Sequence, residues 1–482
     1  MSLTITASVS KKAQLKRTFS ILTWALGALL ILTIPLRPID VDDAWLGDYA
    51  YWIAQVGHAR TDLLANYVQY PERLLVYHKG FLVQGALLIR LFGFSIWPLK
   101  ILALLYTIAG LAFTYRIAKN QTWPSWAPWA VLLLTLLHSQ VFEHALIFRP
   151  DTAVMCMGLG AFYCLQRYLQ LQSIAYAAGA GIFAGLAALF HLNGLAFVGA
   201  TLVVLLAQNR YKAVLWAGIA AGFTAGLYTL DLWQPGRWSL YQQQLVADPA
   251  LLREDLSWYR PIVSLLKEHE RYFHSPREIF FSASFILLVG GQYKSLWRRH
   301  RNLMLYLFTA MLVLAIIAHG KTSKYLTYFI PFMSILMVQS IILITETSAI
   351  KRYLWRLSFI ALACHIVFSL SVNIAWYSLG ADGPAQRQEL AHMQSLIGPA
   401  PVVGPISLSF FRAPGPSLRF WQAYQENSAD GHHTFNLHKA AQEGVKFFLL
   451  EKNILGTLLP DTTGFTRLAT GQHYALYKAE VR

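Results

Sequence analysis

The stretch Asp40-Val-Asp-Asp-Ala-Trp-Leu-Gly-Asp48 decides how the rest of the chain is interpreted. It places four carboxylates within nine residues, although only 13% of the 482 residues are charged. It follows the first long apolar segment, residues 18–36, and leads into an aromatic, helix-like run, Tyr49-Ala-Tyr-Trp52. Because fixed charge beside hydrocarbon is costly, acids at the end of a membrane span indicate function.

The composition indicates a membrane protein. Hydrophobic residues make up 56% of the chain, and repeated apolar runs of about 16–20 residues predict membrane-spanning helices. Many basic residues lie in short loops between these runs, so the net charge of +16 does not indicate a nucleic-acid partner. Cys156, Cys164 and Cys364 all fall inside apolar runs, which favours packing roles over a disulfide framework or a metal site.

Hydropathy predicts a mainly α-helical, polytopic protein with about eleven transmembrane helices. The predicted spans are residues 18–36, 98–115, 125–142, 152–166, 174–190, 194–208, 213–230, 278–293, 302–318, 326–344 and 357–376. The lysines and arginines at positions 11–17 precede the first span, and no small-x-small cleavage site follows it. We therefore expect an uncleaved anchor.

The segment 80–97 is apolar but is interrupted by Arg90 and Gly93. If it does not span the membrane, six basic clusters fall on one face, as the positive-inside rule requires. If it does, the first cluster opposes the other five. The clusters are Lys11, Lys12, Lys16 and Arg17; Arg116 and Lys119; Arg167; Arg210 and Lys212; Lys294, Arg298, Arg299 and Arg301; and Lys351, Arg352 and Arg356. We predict a juxtamembrane helix at 80–97 and a cytoplasmic N-terminus.

The longer loops then lie on the outer face, which we predict to be the working side. They are a first outer loop at 37–97 and a second long loop at 231–277. The basic residues of the second loop are expected to be mostly solvated surface; they are Arg237, Arg253, Arg260, Lys267, Arg271 and Arg277.

The character of the chain changes near residue 377. Apolar runs shorten to strand length, as at 401–404, 445–450 and 474–477, and a helix is expected at 384–397. We predict a transmembrane domain at 1–376 and a small soluble α/β domain at 377–482, outside the membrane.

Charges are nearly absent from the middle of the predicted spans, where His138 and His365 are the only candidates. An ion-coupled transporter generally needs ionisable groups or broken helices near the midplane. Charges collected at the outer ends of the helices instead favour an enzyme that works at the outer interface.

Asp42 and Asp43 open a predicted helix. Aspartate is a preferred N-cap and suits the positive end of a helix dipole, but one acid would suffice for that. The alternative is a general base beside a second acid.

Arg149-Pro-Asp151 lies between two spans. Its arginine either reaches the interface while Asp151 caps the next helix, or presents a bidentate donor to phosphate while Asp151 holds it. Lys79 has the same two alternatives, an interfacial anchor or a phosphate contact.

Two further turns are polar. Lys321 and Lys324 lie outside, against the charge rule, and beside Tyr325, which favours an anionic headgroup as their partner. His191 and Asn193 form a turn that is explained by capping or by a supporting role in the site.

These motifs together resemble the GT-C superfamily of membrane glycosyltransferases, in particular the branch of protein O-mannosyltransferases and lipid A aminoarabinose transferases. The residues that carry the resemblance are Asp42-Asp43, Phe148-Arg-Pro-Asp151, His191-Leu-Asn-Gly194 and Lys321-Thr-Ser-Lys-Tyr325. The branch has Glu where Asp43 stands, and often Pro where Gly80 follows Lys79. The resemblance covers about residues 20–345.

The resemblance implies a GT-C-like fold and an inverting transfer of one sugar from a polyprenyl-phosphate carrier to a lipid, glycan or protein acceptor on the outer face. Asp42 would be the base, with Asp43 as a second acid that positions the acceptor or tunes Asp42. The donor phosphate would meet Arg149, Lys79, Lys321 and Lys324, supported by Asp151, His191, Asn193 and Tyr325. No essential metal is expected, although an aspartate pair could bind Mg²⁺ or Mn²⁺ weakly.

Two alternatives stay open at this point. One is an O-antigen ligase or polysaccharide polymerase, in which the loop 231–277 would dominate. The other is a transporter or flippase of lipid-linked sugar, which moves substrate without forming a bond. The bacterial inner membrane is the expected location, since the loops are short and no endoplasmic-reticulum retention tail is present.

Overall fold

The computed structural model describes residues 2–65, 68, 70–121, 123–247, 259–318, 320–345, 349–380, 382–412, 414–415, 417–427, 433–452 and 463–480. Arg253 lies outside these ranges. The described chain is mainly helical, with a small sheet near its C-terminal end. In chain order the helices are α1 (Ser2–Leu32), α2 (Val41–Val56), α3 (Lys79–Phe92), α4 (Ile96–Lys119), α5 (Ala127–Leu137), α6 (Ser139–His144), α7 (Asp151–Leu171), α8 (Ile174–Phe190), α9 (Leu195–Ala207), α10 (Tyr211–Gly226), α11 (Arg237–Ala247), α12 (Arg260–Leu266), α13 (His269–Tyr272), α14 (Pro276–Gly291), α15 (Tyr293–Ile317), α16 (Ile330–Ile342), α17 (Ala349–Gly380), α18 (Gly383–Ile397) and α19 (Leu437–Gln442).

Each predicted span coincides with a helix of the structure. Within the described residues, five helical segments are long and apolar enough to cross a membrane; they are Lys12–Leu36, Ile96–Lys119, Tyr211–Trp233, Tyr293–Ile317 and Tyr353–Ile397. The other six predicted spans fall on helices that do not meet this test, so the number eleven stays a prediction. The predicted span 125–142 is broken at His138, whose extended backbone ends α5 and whose ring accepts a hydrogen bond from the Gln140 N–H at 3.2 Å.

The segment 80–97 contains a helix, α3, which ends at Gly93. This glycine has a φ of +79°, which favours glycine because it has no side chain to clash. One face of α3 buries Phe81, Leu82 and Ile89, while its other face exposes apolar side chains. A helix that is apolar on an exposed face suits the boundary between headgroups and acyl chains, and the juxtamembrane position stays a prediction.

The C-terminal part forms a mixed five-stranded sheet and a separate two-stranded sheet. The strands of both sheets, in chain order, are β1 (Val402–Gly404), β2 (Leu418–Phe420), β3 (Gln425–Asn427), β4 (His433–Phe435), β5 (Phe447–Glu451), β6 (Phe465–Thr470) and β7 (Tyr474–Ala479). The sheet order is β2-β1-β5-β7-β6, and β3 pairs with β4 in a separate hairpin. β1 runs parallel to β2 and β5, whereas β7 runs antiparallel to β5 and β6. The predicted helix 384–397 and the predicted strands coincide with α18, β1, β5 and β7.

The sheet and α18 do not pack alone. Leu390 and Met393 of α18 share a buried cluster with Ala44 of α2 and with Leu63 and Leu64 of the first outer loop. The C-terminal part therefore lies directly on the loop that carries the acidic stretch. The predicted domain boundary at 376/377 falls inside α17 and stays a prediction.

Candidate active site

The acidic stretch begins α2. The Asp40 carboxylate accepts a hydrogen bond from the Asp42 N–H at 2.8 Å, and the Asp43 carboxylate accepts one from the Asp40 N–H at 2.9 Å. This reciprocal cap satisfies two of the backbone donors that a helix leaves unpaired at its start. Two of the acids therefore have the capping role, and Asp42 does not.

Asp43 is tied to three parts of the fold. Besides capping α2, it accepts hydrogen bonds from Lys100 Nζ at 2.5 Å and from the Phe148 N–H at 2.6 Å. Both side chains of the Asp43–Lys100 pair are buried, with exposed fractions of 0% and 2%. Lys100 also donates to the Leu146 carbonyl at 2.9 Å. The pair joins α2, α4 and the turn before α7.

Lys100 was not identified from the sequence, where only His138 and His365 were noted as ionisable candidates within spans. The signal was present, since Lys100 lies in the predicted span 98–115. A buried lysine among apolar residues needs an acidic partner.

The Asp42 carboxylate gathers three donors. Arg149 Nη1 and Lys324 Nζ both bind Oδ2, the latter at 3.0 Å, and the indole N–H of Trp45 donates to Oδ1 at 2.8 Å. Arg149 Nε also donates to Asp151 at 2.7 Å. Arg149 is thus held between two carboxylates, one of which, Asp151, lies in its own turn. The Lys324 side chain is 43% exposed, so it can reach a ligand.

The charges around Asp42 control its protonation. Burial alone would raise the pKa of this carboxyl, but the neighbouring charges of Arg149 and Lys324 outweigh burial and hold the pKa well below its usual range. Asp42 is therefore ionised at neutral pH. A carboxylate so strongly paired is a weak base until one of its cations is drawn away.

The turn that carries Arg149 is fixed by packing. The Phe148 ring lies 4.7 Å from the Phe81 ring, measured between centroids. At Gly85 of α3 an added Cβ would lie only 2.5 Å from Phe148 Cζ, so glycine is needed for this close approach. The arginine that pairs with Asp42 is therefore anchored by the preceding residue.

A row of aromatic rings borders the acid. His78 lies 6.3 Å from Trp45 and stacks on His191 at 4.4 Å, and His191 meets Tyr325 at 5.5 Å, all between ring centroids. The Asn193 N–H donates to His191 Nδ1 at 3.0 Å. Burial lowers the pKa of His191 to about 4 and that of His78 well below its ordinary value. Both rings are neutral at pH 7, so they shape the site without adding charge.

Two of the four predicted phosphate contacts lie in separate clusters. Lys79 forms an ion pair with Asp231 and donates to the Tyr228 carbonyl at 2.8 Å. Lys321 binds Glu268 at 2.8 Å and Ser264 Oγ at 2.9 Å. The structure thus brings Arg149 and Lys324 to Asp42, and pairs Lys79 and Lys321 with acids elsewhere.

Arg271 is an exception to the expectation that the basic residues of the loop 231–277 are mostly solvated. Its side chain is 0% exposed; it binds Glu268 at 2.7 Å and donates to the Thr322 carbonyl at 3.1 Å. Its guanidinium also lies 5.2 Å from the Tyr325 ring centroid. Arg271 is buried because it fastens α13 to the turn that carries Lys324. Arginines in a long loop give no sign of this in sequence.

Asp48, further along α2, is a buried acid outside this cluster. It accepts a hydrogen bond from Thr61 Oγ1 at 2.6 Å, and burial raises its pKa to about 7. The folded protein then keeps a proton that the unfolded chain has lost, so stability should fall as the pH rises from about 4 to about 7. We expect Asp48→Asn to abolish this loss, which amounts to roughly 4 kcal/mol.

Thermal unfolding of both proteins in detergent, between about pH 4 and about pH 8, measures the effect. Wild type should lose stability across this interval and the variant should not. Parallel curves for the two proteins would show that Asp48 titrates normally.

Metal binding has no direct support from the arrangement. In the part of the chain that the structure describes, no three histidine, cysteine, aspartate or glutamate side chains come together to hold an ion. The expectation that no metal is needed stays a prediction.

A known protein family matches part of the chain. Residues 83–229 match the family model described as dolichyl-phosphate-mannose-protein mannosyltransferase. This segment contains Arg149, Asp151, His191 and Asn193 and begins after Asp42 and Asp43. No curated protein sequence matches the chain.

Solved structures share the fold at low sequence identity. ArnT from Cupriavidus metallidurans bound to undecaprenyl phosphate is 12% identical, with a TM-score of 0.58 over 95% of this chain and 97% of that one. An oligosaccharyltransferase from Archaeoglobus fulgidus, tethered to an acceptor peptide, is 10% identical, with a TM-score of 0.51 over 89% of this chain and 69% of that one. The family match and the shared fold together confirm the resemblance of this membrane protein to the GT-C glycosyltransferases.

Proposed function

We propose that the protein is an inverting glycosyltransferase that moves a sugar from a polyprenyl-phosphate carrier to an acceptor on the extracytoplasmic side of a bacterial inner membrane. One observation carries the proposal. The ionised Asp42 carboxylate is held between Arg149 and Lys324, the second of which is partly exposed. A carboxylate and two cations suited to bind phosphate thus lie together in a fold shared with an enzyme that was solved with undecaprenyl phosphate.

The donor phosphate would compete with Asp42 for its two cations. Arg149 and Lys324 are suited to a phosphate that bears growing negative charge, because a preorganised cation stabilises that charge without rearrangement. As they turn to the phosphate, the pKa of Asp42 rises towards its ordinary value. Donor binding would therefore convert a neutralised acid into a usable base.

In the proposed transfer, each bond that forms is matched by a bond that breaks. Asp42 takes the proton of the acceptor hydroxyl while the hydroxyl oxygen forms a bond to the anomeric carbon. The bond from that carbon to the phosphate oxygen breaks on the opposite face, and its electron pair leaves with polyprenyl phosphate. One displacement inverts the anomeric centre.

Asp43 would have a different role from Asp42 in this scheme. Its carboxylate is occupied by Lys100 and two backbone N–H groups, so it positions α2 and the Phe148 turn. Because Asp42 and Asp43 are both neutralised by lysine or arginine, we propose a reaction without a metal. Lys79 and Lys321 would join the phosphate only by leaving Asp231 and Glu268.

The test is transfer of labelled sugar from a panel of undecaprenyl-phosphate-linked donors by the purified chain, with and without EDTA. We expect transfer in both conditions with the matching donor. Lys324→Met should lower kcat/KM for the donor about 10- to 100-fold, the cost of one charge-assisted hydrogen bond. Lys478→Met, an exposed lysine on β7, is the matched control and should transfer normally.

Each contrary result has a definite meaning. Donor that crosses the bilayer without bond formation would identify a flippase. Absence of transfer across the whole panel would contradict the proposal, and unchanged kinetics of Lys324→Met would remove Lys324 from the donor site.

A further inference from the structure

A second site lies between the start of the first outer loop and the C-terminal part. It is a half-open cavity of about 420 Å³, within the range of small-molecule sites. One wall is Pro38 and Ile39, which lead into the acidic stretch. The opposite wall is formed by α18, the end of β5 and the start of β7.

The cavity is lined by a carboxyl group and a buried imidazole nitrogen. Glu451 lines the cavity, and burial raises the pKa of its carboxyl group. His473 Nε2 is buried and has no hydrogen-bond partner in the described part of the chain. Buried polar groups are normally satisfied by hydrogen bonds. A ligand that supplies donors and acceptors here would therefore gain more than one that meets an already satisfied surface.

The walls of the cavity are held in place by other bonds. Arg387 Nη1 and Nη2 donate to the carbonyls of Arg37 at 2.9 Å and Pro35 at 2.5 Å. Glu389 accepts from the His473 N–H at 3.0 Å and from the Tyr474 N–H at 2.8 Å. A preformed site loses little entropy when it binds a ligand.

The lining suits a hydroxyl-rich ligand. Glu451 accepts hydrogen bonds from hydroxyls, while the carboxamides of Gln386 and Gln472 both donate and accept. Arg387 and Lys452 also line the cavity, so it carries charges of both signs, and phosphate is the competing ligand that the experiment tests. A saccharide has the alternating donors and acceptors that this lining requires.

The cavity lies close to Asp42 along the chain. Ile39 precedes Asp40, the N-cap of α2, and three residues of extended chain span at most roughly 10 Å. A saccharide seated here would lie beside the segment that leads into Asp42. The donor cations Arg149 and Lys324 come from other segments.

We propose that this cavity is a saccharide-binding subsite that holds the sugar part of the acceptor. The acceptor role depends on the glycosyl transfer proposed above, whereas saccharide binding does not. A lipid-linked glycan and a free glycan share this chemistry, and the cavity recognises the sugar in either.

The experiment uses the full-length protein in a detergent without sugar headgroups. Saturation-transfer NMR with glucose, mannose, N-acetylglucosamine and maltose as probes should show binding of at least one. Glu451→Ala and Gln386→Ala should each weaken it about tenfold or more. Arg467→Ala, on an exposed part of β6 outside the cavity, should not. No saccharide signal, or equal signals in all variants, would overturn the subsite, as would phosphate binding in place of sugar.

Donor turnover with water as acceptor separates this inference from the proposed function. The cavity variants should keep the wild-type KM for the donor, and a raised donor KM would overturn the acceptor assignment. Absence of transfer by the wild-type protein across the donor panel, with saccharide binding lost in Glu451→Ala, would contradict the proposed function and leave the saccharide site standing. Loss of transfer in Asp42→Asn with unchanged saccharide binding in the cavity variants would support the proposed function and overturn the saccharide subsite.

Discussion

Replacing Asp42 by asparagine is expected to lower kcat for sugar transfer by about 10²- to 10⁴-fold, the range that a general base contributes. Asparagine keeps the size of the side chain, and its single carbonyl oxygen can still accept a hydrogen bond either from Trp45 or from the cations. It cannot take a proton from the acceptor. Because the variant relieves Arg149 and Lys324 of a competing negative charge, donor binding should be unchanged or tighter, so the loss should appear in kcat.

The matched control is Asp48→Asn, the same substitution on the same helix. Asp48 accepts a hydrogen bond from Thr61, whereas the donors to Asp42 are Trp45, Arg149 and Lys324, so this variant should transfer at the wild-type rate. Single-turnover rates with saturating donor would separate chemistry from product release. Equal rates for Asp42→Asn and wild type would show that another group, or water, takes the proton.

The local motifs around Asp42 were predictable from sequence, because each has a chemical pattern of its own. An acidic pair after a span and an arginine before Pro-Asp both indicate charge kept at a membrane surface. Their meeting in space was predictable only through the resemblance, since Asp42 and Lys324 are 282 positions apart. Periodicity places each helix but does not determine which loops share a site.

Lys79 and Lys321 show where sequence reasoning reaches its limit. Both follow the same pattern as Lys324, a lysine on the outer side beside aromatic residues. Their partners, Asp231 and Glu268, both lie in the region taken as one long loop, where acids and bases have no regular spacing. Whether a lysine meets a ligand or a carboxylate depends on how that region folds back.

In the C-terminal part, sequence patterns locate the strands but do not indicate how they pack. Its strands were located from short apolar runs, but nothing in those runs indicates that α18 packs on the first outer loop. That packing is formed by Leu390 and Met393 against Leu63 and Leu64, ordinary apolar residues in both segments. It also creates the cavity beside the acidic stretch, which no motif predicts.

Lys100→Met is the change with the largest expected effect on stability, about 3–5 kcal/mol. Methionine fills the space of the lysine stem but leaves the Asp43 carboxylate, which is 0% exposed, without its countercharge. Removing one partner of a buried pair is costly because the other must stay charged in a medium of low polarizability or take up a proton. The unfolding temperature in detergent should therefore fall by many degrees.

Lys119→Met, at the exposed end of the same helix, is the control and should unfold like wild type. Adding Asp43→Asn to Lys100→Met should restore part of the loss, because no buried charge then remains unpaired. The restored protein should still transfer sugar poorly, since asparagine cannot hold both the Phe148 N–H and the start of α2 as the carboxylate does. If Lys100→Met were as stable as wild type, the Asp43–Lys100 pair could not be what fastens the Arg149 turn to α2.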